Sequence, residues 1–406
     1  MNHIHSSTKE YDAIIVGAGF SGLYQLICLR DQLGLKCVVL ETGDDVGGTW
    51  YWNRYPGARC DTESHAYSYY FSDELLKEWT WSERYPGHEE IREYMNFVAS
   101  KFDLKKDILF KQKVTSAKFI EDSNNWNVKT DNNNFKCKFL ITAVGCLSNT
   151  NIPKIKGLED FEGSYYHTGN WPKDGVSFVN KTVGQIGTGS TGIQAVPVIA
   201  AEAKHLTVFQ RTANYSIPAR NKPLTEKFKK QVKENFQYYK DLIKRTPNAH
   251  PFEISDRLVA DVNSEEMKHI YEKAWEKGGL QFRAAFNDLV TNFEANKTAS
   301  DFIKNKINET VLNKKFASIL SDIDHPYAGK RPPIDSNYFE TYNRDNVNLI
   351  DLRRDPIKCI NKNGIETEKN NFDLDIIVFA TGYDAMTGPL LNLSLIHISE
   401  PTRRTI

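Results

Sequence analysis

Two glycine-rich turns, Gly17-Ala18-Gly19-Phe20-Ser21-Gly22 and Gly187-Thr188-Gly189-Ser190-Thr191-Gly192, have the spacing that lets backbone approach a pyrophosphate. In such a turn the first glycine makes the tight bend, the second admits the phosphates, and the third lets the next helix close on its strand. The helix N-terminus adds free N–H groups and the positive end of a dipole. The two units then diverge in charge. Glu41 stands 24 positions after Gly17, where a carboxylate accepts hydrogen bonds from ribose hydroxyls. Arg211, with Thr212 behind it, stands 24 positions after Gly187. A carboxylate repels a 2′-phosphate, whereas a guanidinium grips one through paired hydrogen bonds. The first site is therefore expected to take a nucleotide with free ribose hydroxyls and the second NADPH; the plainer alternative for Arg211 is a surface arginine at a strand end.

These residues need strands and helices to hold them. YDAIIV is a short apolar run fit for a buried parallel strand, a helical stretch runs on to about Leu33, and KCVVLE supplies the next strand. TVGQI and HLTVFQ repeat that logic around the second turn, with Gln185 out of place in a buried strand. Residues 72–110 read as helical, and 111–145 as a β-meander with turns at Asn124-Asn125 and Asp131–Asn134. Residues 222–320, rich in Lys, Glu, Asn and Phe at helical spacing, read as inserted helices whose charge runs are solvated faces. NVNLID, a hairpin through Asn363-Gly364, and DLDIIVFATG complete the α/β pattern. The expected fold class is α/β, with two dinucleotide-binding (Rossmann-like) domains and a helical insertion.

At 406 residues the chain exceeds one ordinary domain. Its 52 basic and 52 acidic residues cancel, so charge offers no case for nucleic acid or an anionic membrane. MNHIHSSTKEYD lacks the apolar stretch of a secretion signal, and no apolar run reaches the roughly 18 residues that span a bilayer. The six cysteines, Cys28, Cys37, Cys60, Cys137, Cys146 and Cys359, form no CxxC pair and no metal-ligand spacing, and read as reduced core thiols of a cytoplasmic protein.

Further motifs carry chemistry. Gly47-Gly48 suits a close approach of chain to ligand, and TWYWNRYPGARCD comes next, with Trp50, Tyr51, Trp52 and Tyr55 able to line a ring or simply fill a core. Asp61 is its one acid, a helix cap on the plainer view given Thr62-Glu63. FEGSYYHTGNWP (161–172) has neither helical nor strand period and reads as an ordered connection. Lys330-Arg331-Pro332-Pro333 is a cation pair on a stiff segment.

The set of Phe161, Gly163, His167, Trp171 and Pro172 between two glycine turns, with WYWNRYPGARCD and the A-x-G ends of two strands, resembles the Baeyer–Villiger flavin monooxygenases. That resemblance implies FAD on the first turn and NADPH on the second. It implies oxygenation of a small-molecule ketone by O2 to an ester or lactone through a peroxyflavin. It assigns Arg331 as catalytic, Asp61 as the acid beside it, and Lys330 to the nicotinamide nucleotide's phosphate. Gly48, Thr49, Trp50, Tyr55 and Asp61 join the glycines, Glu41, Thr188, Ser190, Thr191, Arg211 and Thr212 as cofactor contacts; no metal is implied. An N- or S-oxygenating enzyme and an inactive fragment are the alternatives, and a disulfide reductase lacks its cysteine pair. The expected domains are 10–150 for FAD, 151–221 with 325–380 for NADPH, 222–324 as the insertion, and 381–393 returning to the first. Residues 394–406, SLIHISEPTRRTI, resemble translated adapter sequence and are expected to be a non-native tail on a shortened chain.

Overall fold

A computed structural model describes residues 8–391 and the backbone of 394–395; the side chains of the expected tail lie outside the described residues. By internal contacts the chain forms two compact units. One gathers the residues up to 54, 88–151 and those from 383 on; the other gathers 55–87 and 152–382.

The first unit is a seven-stranded sheet. Strand β1 (Lys9–Val16) lies between β2 (Cys37–Leu40) and β6 (Asn134–Thr142), parallel to both, and β2 pairs with β3 (Ile108–Leu109). Ile14, Val38 and Leu40 are buried on the face that packs against Ala117, Val128, Phe135 and Cys137 of the neighbouring strands. Beyond β6 the sheet turns antiparallel through β5 (Asn125–Thr130) and β4 (Val114–Ile120), and the short strand Ser394–Leu395 pairs with β4. The expected helical region 72–110 yields two helices, Asp73–Glu78 and His88–Lys101, one in each unit.

The second unit is built on a parallel sheet in the order β12 (Val347–Asp351), β9 (His205–Gln210), β8 (Thr182–Ile186), β16 (Ile376–Phe379), β7 (Ser164–His167). Here the reading of 161–172 as a connection needs correction, because β7 is an edge strand in register with β16. Four residues are too few to show a period, and Tyr165 stays exposed as an edge position allows. Gly163 is required just before it: a Cβ there would stand 2.5 Å from the Asp375 carbonyl oxygen. Phe161 and Trp171 are buried in this unit's cores.

Residues 55–87, expected in the first domain, pack with the second unit. Arg84 donates to the Lys277 carbonyl and Tyr85 N–H to Asn221, while the Tyr55 ring enters the second unit's core. Four of the inserted helices start on polar caps: Thr225, Asn263, Asn292 and Asn313 each accept backbone N–H bonds at a helix N-terminus. Their apolar faces bury Tyr271, Ile303 and Ile319 in the same core. Cys146 is exposed, and Cys28 and Cys359 are half-buried, which corrects the expectation of six core thiols; Cys146 lies in a connection, Cys28 on the helical stretch Ile27–Gln32 and Cys359 on the edge strand Ile357–Asn361. Among the described residues no helix is long and apolar enough to cross a membrane.

Candidate active site

In the first unit β1 ends at Val16, opposite Leu40, so Gly17 and Glu41 leave adjacent strands side by side. The bend at Gly17 has φ +105°, and a Cβ there would come within 2.6 Å of the Ala143 carbonyl oxygen. A Cβ on Gly22 would stand 1.8 Å from the Gly17 oxygen. Glu41 points back into the turn: its carboxylate accepts from Ala18 N–H and Gly43 N–H, both at 2.7 Å. Burial pushes its pKa up, against the pull of those N–H groups. Glu41 thus braces the loop, a role the spacing did not suggest. Gly48 packs its backbone on the turn, since a Cβ there would lie 2.7 Å from Gly19 Cα. The glycine pair thus serves a chain-to-chain approach.

Thr49 opens the short helix Thr49–Trp52, which carries Trp50 half-buried; Tyr51 is buried, with its hydroxyl on Asp44 at 2.7 Å. Tyr55 departs from the expected aromatic row. It is buried in the second unit, where its hydroxyl donates to Gln194 at 2.7 Å.

The second turn repeats the first in detail. Gly187 has φ +107°, and a Cβ there would meet the Ala380 oxygen at 2.3 Å, as Gly17 would meet Ala143. The two A-x-G strand ends, Ala143-Val144-Gly145 and Ala380-Thr381-Gly382, therefore play one part in the two units. A Cβ on Gly192 would lie 2.4 Å from the Gly187 oxygen. Gln185, odd in the sequence, has its explanation here: its amide donates to the carbonyls of Gly187 (3.1 Å) and Gly192 (3.2 Å), tying the bend from below. Gly189 is exposed with open space about it, and Ser190 and Thr191 begin the helix Ser190–Glu202. Thr188 donates to the Thr212 carbonyl at 3.1 Å, and Thr191 shares a hydrogen bond with Thr168.

The matched offset of Glu41 and Arg211 does not survive the register. Ile186 pairs with Phe209, so the residue opposite Gly187 is Gln210, and Arg211 lies one position beyond. The connection into β9 is one residue shorter than that into β2. Gln210 is buried with its amide on the Ile319 carbonyl, whereas Arg211 is exposed and has no carboxylate partner among the described residues.

The second unit also brings together Asp61 and Arg331, 270 residues apart. Nε and Nη2 of the guanidinium donate to the two carboxylate oxygens at 2.8 and 2.6 Å, a fork-on-fork pair. The side chain of Arg331 is nevertheless 62% exposed, and Nη1 stays outside the pair. Hydrogen bonding to Asp61 raises the Arg331 pKa further, so the group holds its charge. Lys330 is exposed beside it. Sequence reasoning missed what ties down the loop behind them. Asn214 donates to the Arg331 carbonyl (3.4 Å), its oxygen faces His325 Nε2 (3.2 Å), and His325 Nδ1 meets Asp324 (3.0 Å). Asn214 comes three residues after Arg211, the only signal that could have singled it out.

Further along that loop, strands β10 (Ile217–Pro218) and β11 (Ile334–Asp335) pair, and the buried Asp335 accepts from Ser216 Oγ at 2.6 Å and Tyr338 N–H at 3.1 Å. Burial raises its pKa from 3.8 to about 6. The folded state therefore holds this proton more tightly than the unfolded one. Stability from this group is greatest below about pH 4, falls as pH rises to about 6, and levels off above, a loss of about 2–3 kcal/mol. Asp335→Asn keeps an acceptor for Tyr338 and offers a donor to Ser216. Its urea midpoint is expected to match the wild type near pH 4 and exceed it at pH 8.

The family described as flavin-binding monooxygenase-like matches residues 11–239. A cyclohexanone 1,2-monooxygenase of Acinetobacter sp. is 45% identical over 96% of this chain and 72% of its own length. Among solved structures, an oxidized steroid monooxygenase bound to NADP superposes with a TM-score of 0.92 at 46% identity, covering 96% of this chain and 74% of that one. OTEMO in complex with FAD and NADP gives 0.92 at 41%, over 95% and 74%.

Proposed function

The chain belongs to the flavin-binding monooxygenase-like family, and from that premise we propose that it is an NADPH-dependent Baeyer–Villiger monooxygenase converting a ketone to an ester or lactone with O2. The observation that carries the reading is the Asp61–Arg331 pair, a fixed cation with a free N–H edge, built on the unit that bears the second glycine turn.

The residues present fit both cofactors. In the first unit, Gly17 and Gly22 have no room for a Cβ, Gly19 lies in ordinary contact with Gly48, and Glu41, Gly48, Thr49 and Trp50 surround the turn. FAD, when bound there, supplies the redox chemistry and activates oxygen. In the second, open space at Gly189 and the helix N-terminus at Ser190 suit a pyrophosphate, with Thr188, Thr191 and Thr212 alongside. Arg211 and Lys330 offer charge to a 2′-phosphate. Arg331, oriented by Asp61, donates from Nη1 to the oxygen that gains negative charge when the ketone is attacked, a preorganised interaction that needs no rearrangement at the moment of reaction. We place the enzyme in the cytoplasm, where thiols such as the exposed Cys146 stay reduced.

Addition of cyclic, linear and aryl ketones should raise NADPH consumption by the yellow protein, with products one oxygen heavier. With an amine and a thioether added to the panel, oxygenation of these alone and recovery of every ketone unchanged would move the reading to the N- or S-oxygenating alternative. Arg211→Ala removes a charge-assisted bond worth about 1.5–3 kcal/mol, so KM for NADPH should rise about 10- to 100-fold while KM for NADH stays put. An equal change for both coenzymes would remove Arg211 from the 2′-phosphate site.

A further inference from the structure

Asp61 has to be held before it can hold Arg331, and the residue that holds its turn carries no charge and no nucleophile. Gln194 lies on helix Ser190–Glu202, two positions after the last glycine of the second turn. Its Oε1 accepts from the Tyr55 hydroxyl at 2.7 Å and from Arg59 N–H at 3.3 Å, and its Nε2 donates to the Arg59 carbonyl at 3.0 Å. All three partners belong to the turn 55–59 that leads into Asp61. That turn lies flat on the helix: a Cβ on Gly57, at φ +79°, would come within 2.5 Å of the Gln194 carbonyl oxygen. The far side is held separately, by Cys60 N–H on the Pro86 carbonyl at 3.0 Å and the Arg59–Glu83 ion pair. A side chain that satisfies both an N–H and a C=O of one residue fixes that residue's peptide orientation, not merely its distance.

We propose that Gln194 is a positioning residue: it clamps the 55–59 turn to the second glycine-turn helix and so sets where Asp61 presents its carboxylate to Arg331. The helix whose N-terminus faces a pyrophosphate and the acid that orients the guanidinium then form one mechanical piece. Coenzyme position and cation position are coupled through a single amide. The consequence for catalysis rests on the monooxygenase reading; the clamp itself does not.

The test separates the two. In the whole chain, Gln194→Met keeps volume and loses all three bonds, while Gln194→Glu keeps both accepting bonds and loses the donor. Modification of Arg331 by phenylglyoxal, with peptide mapping afterwards, reads how firmly Asp61 holds it, with Arg211 as the internal reference. Loss of about one net hydrogen bond's worth of restraint should raise the Arg331 rate about five-fold in Gln194→Met, less in Gln194→Glu, and leave Arg211 unchanged. An Arg331 rate equal to wild type in folded Gln194→Met overturns the proposal. Should that variant fail to fold, Tyr55→Phe, which deletes one bond, must still raise the Arg331 rate, and no rise overturns it equally. In turnover, Gln194→Met should release more of its NADPH equivalents as hydrogen peroxide, with KM for NADPH within about two-fold of wild type. A merely structural lesion would lower both outputs together. A wild type that oxygenates no ketone would refute the function, and the Arg331 rates would still decide the clamp.

Discussion

Arg331→Ala should lower ester formation by about 10²–10³-fold, the loss found when a preorganised donor to a developing oxyanion is removed. Flavin absorbance should persist, because the first glycine turn is shaped by Ala143, Gly48 and Glu41 and takes no bond from Arg331 among the described residues. Lysine is not an adequate substitute: the fork that meets both Asp61 oxygens while leaving Nη1 free requires a planar guanidinium. Asp61→Asn isolates the positioning part. The charge on Arg331 remains but one acceptor oxygen is gone, so the loss should be smaller than for Arg331→Ala. Both variants are read by product formation under saturating NADPH with flavin content measured alongside. Normal ester formation by Arg331→Ala would remove the cation from the reaction.

Gly22→Ala should abolish flavin retention. The added methyl would need to sit 1.8 Å from the Gly17 carbonyl oxygen, backbone that cannot step aside without moving the bend itself. Overpacking of this kind costs about 1–3 kcal/mol and displaces the helix N-terminus proposed to face the phosphates. Gly34 is the control: it too has positive φ, at +66°, but nothing lies within 4 Å of where its Cβ would stand. Gly34→Ala should cost about 1–2 kcal/mol of stability, the penalty of a side chain in the left-handed region, and keep its flavin. The ratio of flavin to protein absorbance distinguishes them, and a fully loaded Gly22→Ala protein would contradict the assignment of the turn.

How legible each feature was depended on how local its cause is. The glycine turns were plain because a bend, a close approach and a helix start are settled within six residues. The position opposite Gly187 was misjudged because register is set by the length of the returning connection, and one residue fewer before His205 puts Gln210 where Arg211 was expected. Edge strand Ser164–His167 left no period to read in four residues. The placement of residues 55–87 depends on partners such as Asn221 and Lys277, more than a hundred positions away, which no spacing rule reaches. Asp61 and Arg331 were paired beforehand by resemblance alone; Gln194, Asn214 and His325, which hold them, have no motif of their own.

Turnover of a ketone with NADPH under isotopically heavy O2, with the product analysed by mass spectrometry, bears most directly on whether this chain is a Baeyer–Villiger enzyme. The expected product is an ester or lactone carrying a single heavy oxygen per molecule, formed only when NADPH is present. NADPH oxidised by a yellow protein, with the ketone recovered unchanged and all heavy oxygen in peroxide across the ketone panel, would contradict it.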